Sequence, residues 1–358
     1  MAHRRLVYLL APSSASLLAT AGGSFGALCE SGEGVVASEN GWRLKKVQIV
    51  FRHGARTPVW TIDHDEEWDA CDKVNASTPL GAGCALRMQG VGKIQPLHLT
   101  DLTGTGPRPY SGVDARQMGE VLKGGCRRGQ LTDLGAKQAA ELGASLHRRY
   151  EGYLRNEDGK GPKVSARTTN VARCVSTLQF VLGSFMPNTD TIVPTATTSH
   201  SKEYLTPNTR SCARMRALFA EGMARWQASS QDLAEAENVR RELREKLPQH
   251  VLEEAPLGLE KYNFVRIRDH LMCVGKKTDS ITRTLPWGIS KELFQRIDDL
   301  AALQVATYIG YNGRKEEGVR VGIGKFLGEI VDGAQVTPDE DSSRVHFHFI
   351  SGHDTTIL

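Results

Sequence analysis

Apolar and polar positions divide the chain into three kinds of stretch. Short apolar runs that stop abruptly at polar residues occur four times. They are Val47–Phe51, ending at Arg52-His53-Gly54; Lys163–Ala166, ending at Arg167-Thr168-Thr169-Asn170; Thr191–Pro194; and Val345–Ser351, ending at Gly352-His353-Asp354. Runs of this length read as strands. Between them the apolar spacing changes to three and four. Leu131, Leu134, Ala139, Leu142, Leu146 and Tyr150 share one helical face behind Thr132, a good N-cap. Val171, Cys174, Val175, Leu178, Leu182 and Phe185 form a second face, with Asn170 placed to cap it.

The remaining stretches carry weaker patterns. Trp60–Pro109 has no sustained period and reads as a long excursion from the first strand end, with a few short elements; loops of that length in compact domains are usually functional. Trp60 and Trp68 either line an apolar mouth or pack this loop onto the domain. From Ser211 to about Ala306 the pattern is helical, punctuated by Pro248, Pro256 and Pro286. One helix there carries Leu233, Ala236, Val239, Leu243 and Leu247 with Ser230 as its cap; another runs across Leu293, Ile297, Leu300 and Leu303–Val305. Gly310–Asp341 is Gly-rich and then acidic, and reads as mobile. Strands alternating with helices predict an α/β fold around a central, mostly parallel sheet flanked by helices.

Composition narrows this picture little. A chain of 358 residues suits one large domain or two moderate ones, and 40% hydrophobic with 24% charged residues is ordinary globular usage. A net charge of +4 argues for neither nucleic acid nor a polybasic membrane patch. Met1–Cys29 holds Arg4 and Arg5, many Ser and Ala, and no acid; Pro12 and the serines make it too poor to span a bilayer. It reads as a mitochondrial targeting segment or, alternatively, a secretory signal. The seven cysteines show no metal-ligand spacing and leave the disulfide state open. Cys174 reads as core, and Asn75-Ala76-Ser77 is a lone glycosylation sequon.

The chemistry concentrates at the end of the first strand, Arg52-His53-Gly54-Ala55-Arg56-Thr57-Pro58. In open α/β sheets, ligands sit at the carboxyl rim of the strands. Guanidiniums stay charged and fork onto phosphate oxygens. A cation would be repelled between them, so His53 suits nucleophilic attack on a held anion better than metal ligation. Gly54 allows a positive φ or a close approach to ligand. The bland alternative is a strand end with two solvated arginines and a surface histidine. His353 and Asp354 sit at the same relative place on their own strand, whereas His346 and His348 read as structural.

RHGARTP followed far downstream by His353-Asp354 resembles the signature of the histidine acid phosphatases, the RHGxRxP branch of the histidine phosphatase superfamily. The stretches RPYSGVDARQ, LKGGCRRGQLTDLGAKQ and RTTN further resemble its lysophosphatidate-hydrolysing members. The resemblance implies the histidine phosphatase fold with an inserted, mainly α-helical cap: residues 41–205 and 308–358 as the α/β core, 206–307 as the cap and 1–40 as a targeting segment or flexible tail. It also implies that the core lacks its last helix and edge strands, leaving one sheet face uncovered. The implied activity is hydrolysis of a phosphomonoester without metal or cofactor: a lysophospholipid or, alternatively, an inositol phosphate or the substrates of a general acid phosphatase. His53 is then the nucleophile and Asp354 the proton donor. Arg52, Arg56, Arg167 and a protonated His353 hold the phosphate, while Arg173 has no assigned role. A non-catalytic phosphate-binding homologue is the alternative of another class. The expected partner is a small molecule, with no nucleic acid and no membrane span; the oligomeric state stays open.

Overall fold

The computed structural model describes residues 6–10, 44–71, 86–88, 90–154, 161–254, 264–275, 285–308, 315–334 and 344–357. The sequon at Asn75 and the acidic run at Asp339–Asp341 lie outside them. Among the described residues eight strands run in chain order: β1 Leu6–Leu10, β2 Lys46–Arg52, β3 Leu86–Met88, β4 Gly92–Ile94, β5 Leu97–Thr100, β6 Lys163–Thr168, β7 Val193–Ala196 and β8 His346–Gly352. Six of them form one sheet in the order β1-β2-β8-β6-β7-β5, each neighbouring pair parallel, while β3 and β4 pair as a small hairpin.

Helices lie on both faces because side chains alternate along each strand. Val47, Ile49 and Phe51 of β2, with Phe347 and Phe349 of β8, face α2 (Asp133–Leu154) and α3 (Ala172–Phe185). Each fully buried phenylalanine there contributes about 2 kcal/mol of transfer free energy. Val50 and Ile350, one residue out of phase, face Leu205 and Phe326 on the opposite side. Phe326 belongs to a helix, Lys315–Gly333, formed in the stretch expected to be mobile. Its glycines permit close packing: a Cβ on Gly322 would stand 2.9 Å from the Met215 methyl.

The helical stretch has its own core. Trp226 comes from Ala213–Ala228, Val239 and Leu243 from Ser230–Lys246, Ile267 and Leu271 from Phe264–Val274, and Ile297 from Lys291–Tyr308, and all are buried together. With Gly112–Gln117 as α1, these are α4 (213–228), α5 (230–246), α7 (264–274) and α8 (291–308); α6 is Gln249–Glu254, α9 the 315–333 helix and α10 the terminal turn Asp354–Ile357.

Three local expectations shift. The cap of α5 is Ser229, whose hydroxyl accepts from Asp232 N at 3.3 Å, and Leu233 is 41% exposed. Asn170 does not cap α3, which starts at Val171 without a side-chain cap. Its amide instead joins Arg108 and the Pro109 carbonyl, and Asp114 of α1 accepts from Ala172 N at 2.8 Å. Leu6–Leu10, inside the segment expected to be leader or tail, forms an edge strand beside β2; Leu-Val-Tyr-Leu-Leu has the composition for it.

Candidate active site

Parallel pairing of β2 with β8 sets Arg52 opposite Gly352, and His53 N donates to Gly352 O at 3.0 Å. The two motifs thus meet at one carboxyl rim. The His53 and His353 rings stand edge to face with centroids 5.3 Å apart. Arg52 Nε lies 3.7 Å from Asp354 Oδ2. His53 is 1% exposed, and its Nδ1 lies 2.8 Å from Gly54 O. A carbonyl only accepts, so Nδ1 carries the hydrogen and Nε2 keeps its lone pair.

Gly54 serves neither expected purpose. Its φ is not positive, and its neighbour is protein: a Cβ there would meet Gly135 O at 2.3 Å. The glycine lets α2 pack directly on the motif. Thr132, which caps α2 by accepting from Gly135 N at 3.2 Å, also donates to Ala55 O at 3.0 Å. The motif backbone is therefore held by the helix it precedes.

Electrostatics set the protonation states. Burial, then Arg52, Arg173, His353 and Arg56, push His53 well below the ordinary imidazole value. Burial first and Arg173 next likewise lower His353, against Asp354. Burial and these cations therefore oppose the protonated His353 expected as a fourth donor. Its Nε2 lies 3.2 Å from Thr169 Oγ1. Desolvation would raise Asp354, but Arg52, then His353 and Arg56, hold it below the usual carboxylate value. Its side chain is 53% exposed, so it meets solvent as well as the site.

The third arginine is where sequence and structure part. Arg167 was expected on the phosphate. Its guanidinium is instead buried beside Glu203, Nη2 to Oε1 at 2.7 Å, donates to Thr168 O and lies over the Tyr204 ring. Strand alternation explains this: Ala166 joins the core under α2 and α3, so Arg167 points to the other face. Arg173, in the first turn of α3, is buried and acts on both His53 and His353. Burial and then Arg56 lower it to about 10, which leaves it cationic at neutral pH. Its position at a helix start, one turn beyond a strand end, is an anion-binding place that could have marked it. A cavity of about 150 Å³ opens beside this group, lined by His353, Arg173, Thr169, Asn170, Ser111 and His200 among others.

Arg56 is engaged by a residue that the sequence did not single out. Asp269 of α7 takes Nη2 at 2.6 Å and Nη1 at 3.2 Å, and also accepts from Val59 N at 3.1 Å. Of the two tryptophans, Trp68 packs the loop, 3% exposed beside the Cys71–Cys126 disulfide. Trp60 is 41% exposed, with the guanidiniums of Arg128 and Arg266 lying over its ring. Among the described residues, Asp63, Asp65 and His250 alone have metal-ligand spacing, within 4.8 Å of one another, and none belongs to the strand-end group.

Known proteins can now be set beside this geometry. Lysophosphatidic acid phosphatase type 6 of Bos taurus is 26% identical over 329 residues, covering 88% of this chain and 68% of that protein. The Homo sapiens protein of the same name is 31% identical over 180 residues, 49% of this chain and 38% of that protein. Among solved structures, the phytase of Citrobacter braakii aligns over 88% of this chain and 74% of that one, with 18% identity and a TM-score of 0.46. The family model of the histidine phosphatase superfamily, branch 2, matches residues 43–358, and the chain belongs to that family.

Proposed function

We propose that the protein is a phosphomonoesterase acting through a phosphohistidine. The observation that carries this is a buried, neutral His53 whose Nε2 is left free by the Nδ1–Gly54 bond, beside His353, Arg52 and Asp354 at one rim. Nε2 attacks phosphorus in line, and the P–O bond to the leaving alcohol breaks. Asp354, protonated in the substrate complex, gives that oxygen its proton. Water then attacks the phosphohistidine; Asp354 takes the water's proton, and His53 leaves neutral with phosphate released. Arg52, Arg56 and Arg173 supply fixed positive charge around the non-bridging oxygens, which is most of what phosphoryl transfer asks of a protein. Arg167 acts from behind this shell, tied to Glu203.

Lysophosphatidate is the substrate we favour, on the names of relatives alone; an inositol phosphate, or the broad substrate range of a general acid phosphatase, is the alternative. No helix of the described residues is long and apolar enough to cross a membrane. The test is acid-labile phosphate on His53 after rapid quench with an aryl phosphate, beside a panel of lysophosphatidate, phytate and phosphotyrosine. His53→Ala should lower turnover by several orders of magnitude and abolish the label. Turnover that survives the substitution sinks the assignment, and phosphate binding without turnover selects a non-catalytic homologue. We further infer an oxidising compartment, which the Cys71–Cys126 disulfide supports and which favours the secretory alternative. Recovery of both cysteines as thiols from the native source would count against it.

A further inference from the structure

Arg56 is asked to hold phosphate, yet its outer edge is occupied. Asp269 accepts from Nη1 and Nη2, and Nη1 also donates to Thr57 O at 3.1 Å. This carboxylate is well anchored. It takes a third donor, Val59 N, and its side chain is 18% exposed against 11% for Arg56. Its helix is fixed as well. Phe264, Ile267 and Leu271 of α7 are buried in the helical core, and the neighbouring His270 stacks on Trp287 at 5°. Expelling the carboxylate would strand a buried charge, so displacement by substrate is disfavoured.

A guanidinium has two usable edges. The end-on edge presents Nη1 and Nη2; the side-on edge presents Nε and the second hydrogen of Nη2. Asp269 takes the first. The second is unpaired: Arg56 Nε is buried and has no hydrogen-bond partner among the described residues. Its charge reaches the reacting groups, since it acts on His53, His353 and Asp354.

We propose that Asp269 is a positioning residue: from the helical stretch it grips Arg56 end-on, so that the side-on edge of the guanidinium meets the transferring phosphoryl group. This rests on the phosphomonoesterase reading. It makes α7 part of the phosphate site without contact to substrate, and it makes a bidentate arginine, not merely a cation, the requirement at position 56.

The experiment measures the affinity of inorganic phosphate for the full chain, both as competitive inhibitor of aryl phosphate turnover and by calorimetry. Asp269→Asn keeps the shape but accepts from one Nη only. It should weaken phosphate binding and lower kcat/KM by about tenfold or more, as misplacement of a clamp does. In an Arg56→Ala background the same change should alter phosphate affinity by less than about threefold, because it acts through Arg56. Arg56→Lys should lose affinity nearly as far as Arg56→Ala. Unchanged or tighter phosphate binding in Asp269→Asn overturns the proposal, and so does wild-type affinity in Arg56→Lys. That second variant decides the matter should Asp269→Asn fail to fold. Absence of turnover in the wild type would sink the phosphomonoesterase reading alone, since the calorimetric arm still tests the clamp.

Discussion

A guanidinium is a cation wherever it is buried, so the arginines near His53 differ in what each already holds. Arg52 is 3.7 Å from a half-exposed carboxylate that substrate can replace, and Arg56 is gripped by Asp269. Arg167 is tied to a buried Glu203; among the described residues Arg173 donates from its side chain to Gln117 Oε1 alone, at 2.9 Å, and its Nε is unpaired. Arg173→Ala should therefore cost about 10²–10³ in kcat, the scale of a lost transition-state donor, with the melting temperature little changed. Arg167→Ala should do the reverse. It leaves Glu203 buried without its cation and should cost about 3–5 kcal/mol of stability, with KM near wild type in whatever folds. Equal kinetic losses would return Arg167 to the phosphate. Asp354→Asn should cost about 10²–10⁴ on alkyl phosphates and markedly less on aryl phosphates, whose leaving groups need no proton. Identical losses on both would remove Asp354 from the donor role. None of these distinctions is a property of residue type, and the Arg167–Glu203 pair spans 36 positions with nothing in the pattern to announce it.

At the scale of elements, the apolar runs were legible and their contacts were not. β2, β6, β7 and β8 stand within a few residues of the runs that predict them, because short apolar-rich runs cut off by polar residues mark strands whether one face or both are buried. β5 was missed: Leu97–Thr100 lies in an excursion that looked aperiodic, yet it pairs with β7 at the sheet edge. The face of α2 was half legible. Large residues such as Leu146 and Tyr150 mark it, but the closest approaches belong to small ones. A Cβ on Gly135 would stand 2.1 Å from Ala55 O, and one on Gly143 2.1 Å from Val181 O. Gly54→Ala should accordingly cost about 1–3 kcal/mol through overpacking, even though no positive φ is involved. Chemical denaturation checks this. A neutral result would mean that α2 slides away from the motif at no cost.

At the scale of the whole molecule, the buried imidazoles tie stability to pH. His53, His353 and His348 are all held below the ordinary value, His348 at about 4, with burial the largest cause in each. The unfolded chain takes up protons near pH 6.5 that the folded state refuses, so folding stability should fall as pH drops below about 6.5. Asp354 adds to the same trend: its depressed pKa stabilises the fold above the unfolded carboxylate value and is lost as pH falls through the folded one. Activity should show the opposite slope at first. A lowered His53 stays nucleophilic in mild acid, where Asp354 more easily carries its proton, so turnover should decline from mildly acidic toward alkaline pH. A melting temperature that is flat between pH 7 and 5, or turnover that rises toward alkaline pH, would contradict this account.

Local chemistry was enough to single out His53, its flanking cations and the distant His353-Asp354 pair, because a strand end, a turn and a charge pattern are short-range features readable in ten residues. Three things needed the folded chain: which arginine lies beside the His53 and His353 rings, which carboxylate grips Arg56, and which way burial moves the imidazoles. Each depends on strand parity or on groups brought together across tens to hundreds of positions, and burial, which sets their protonation, exists only once those segments have packed.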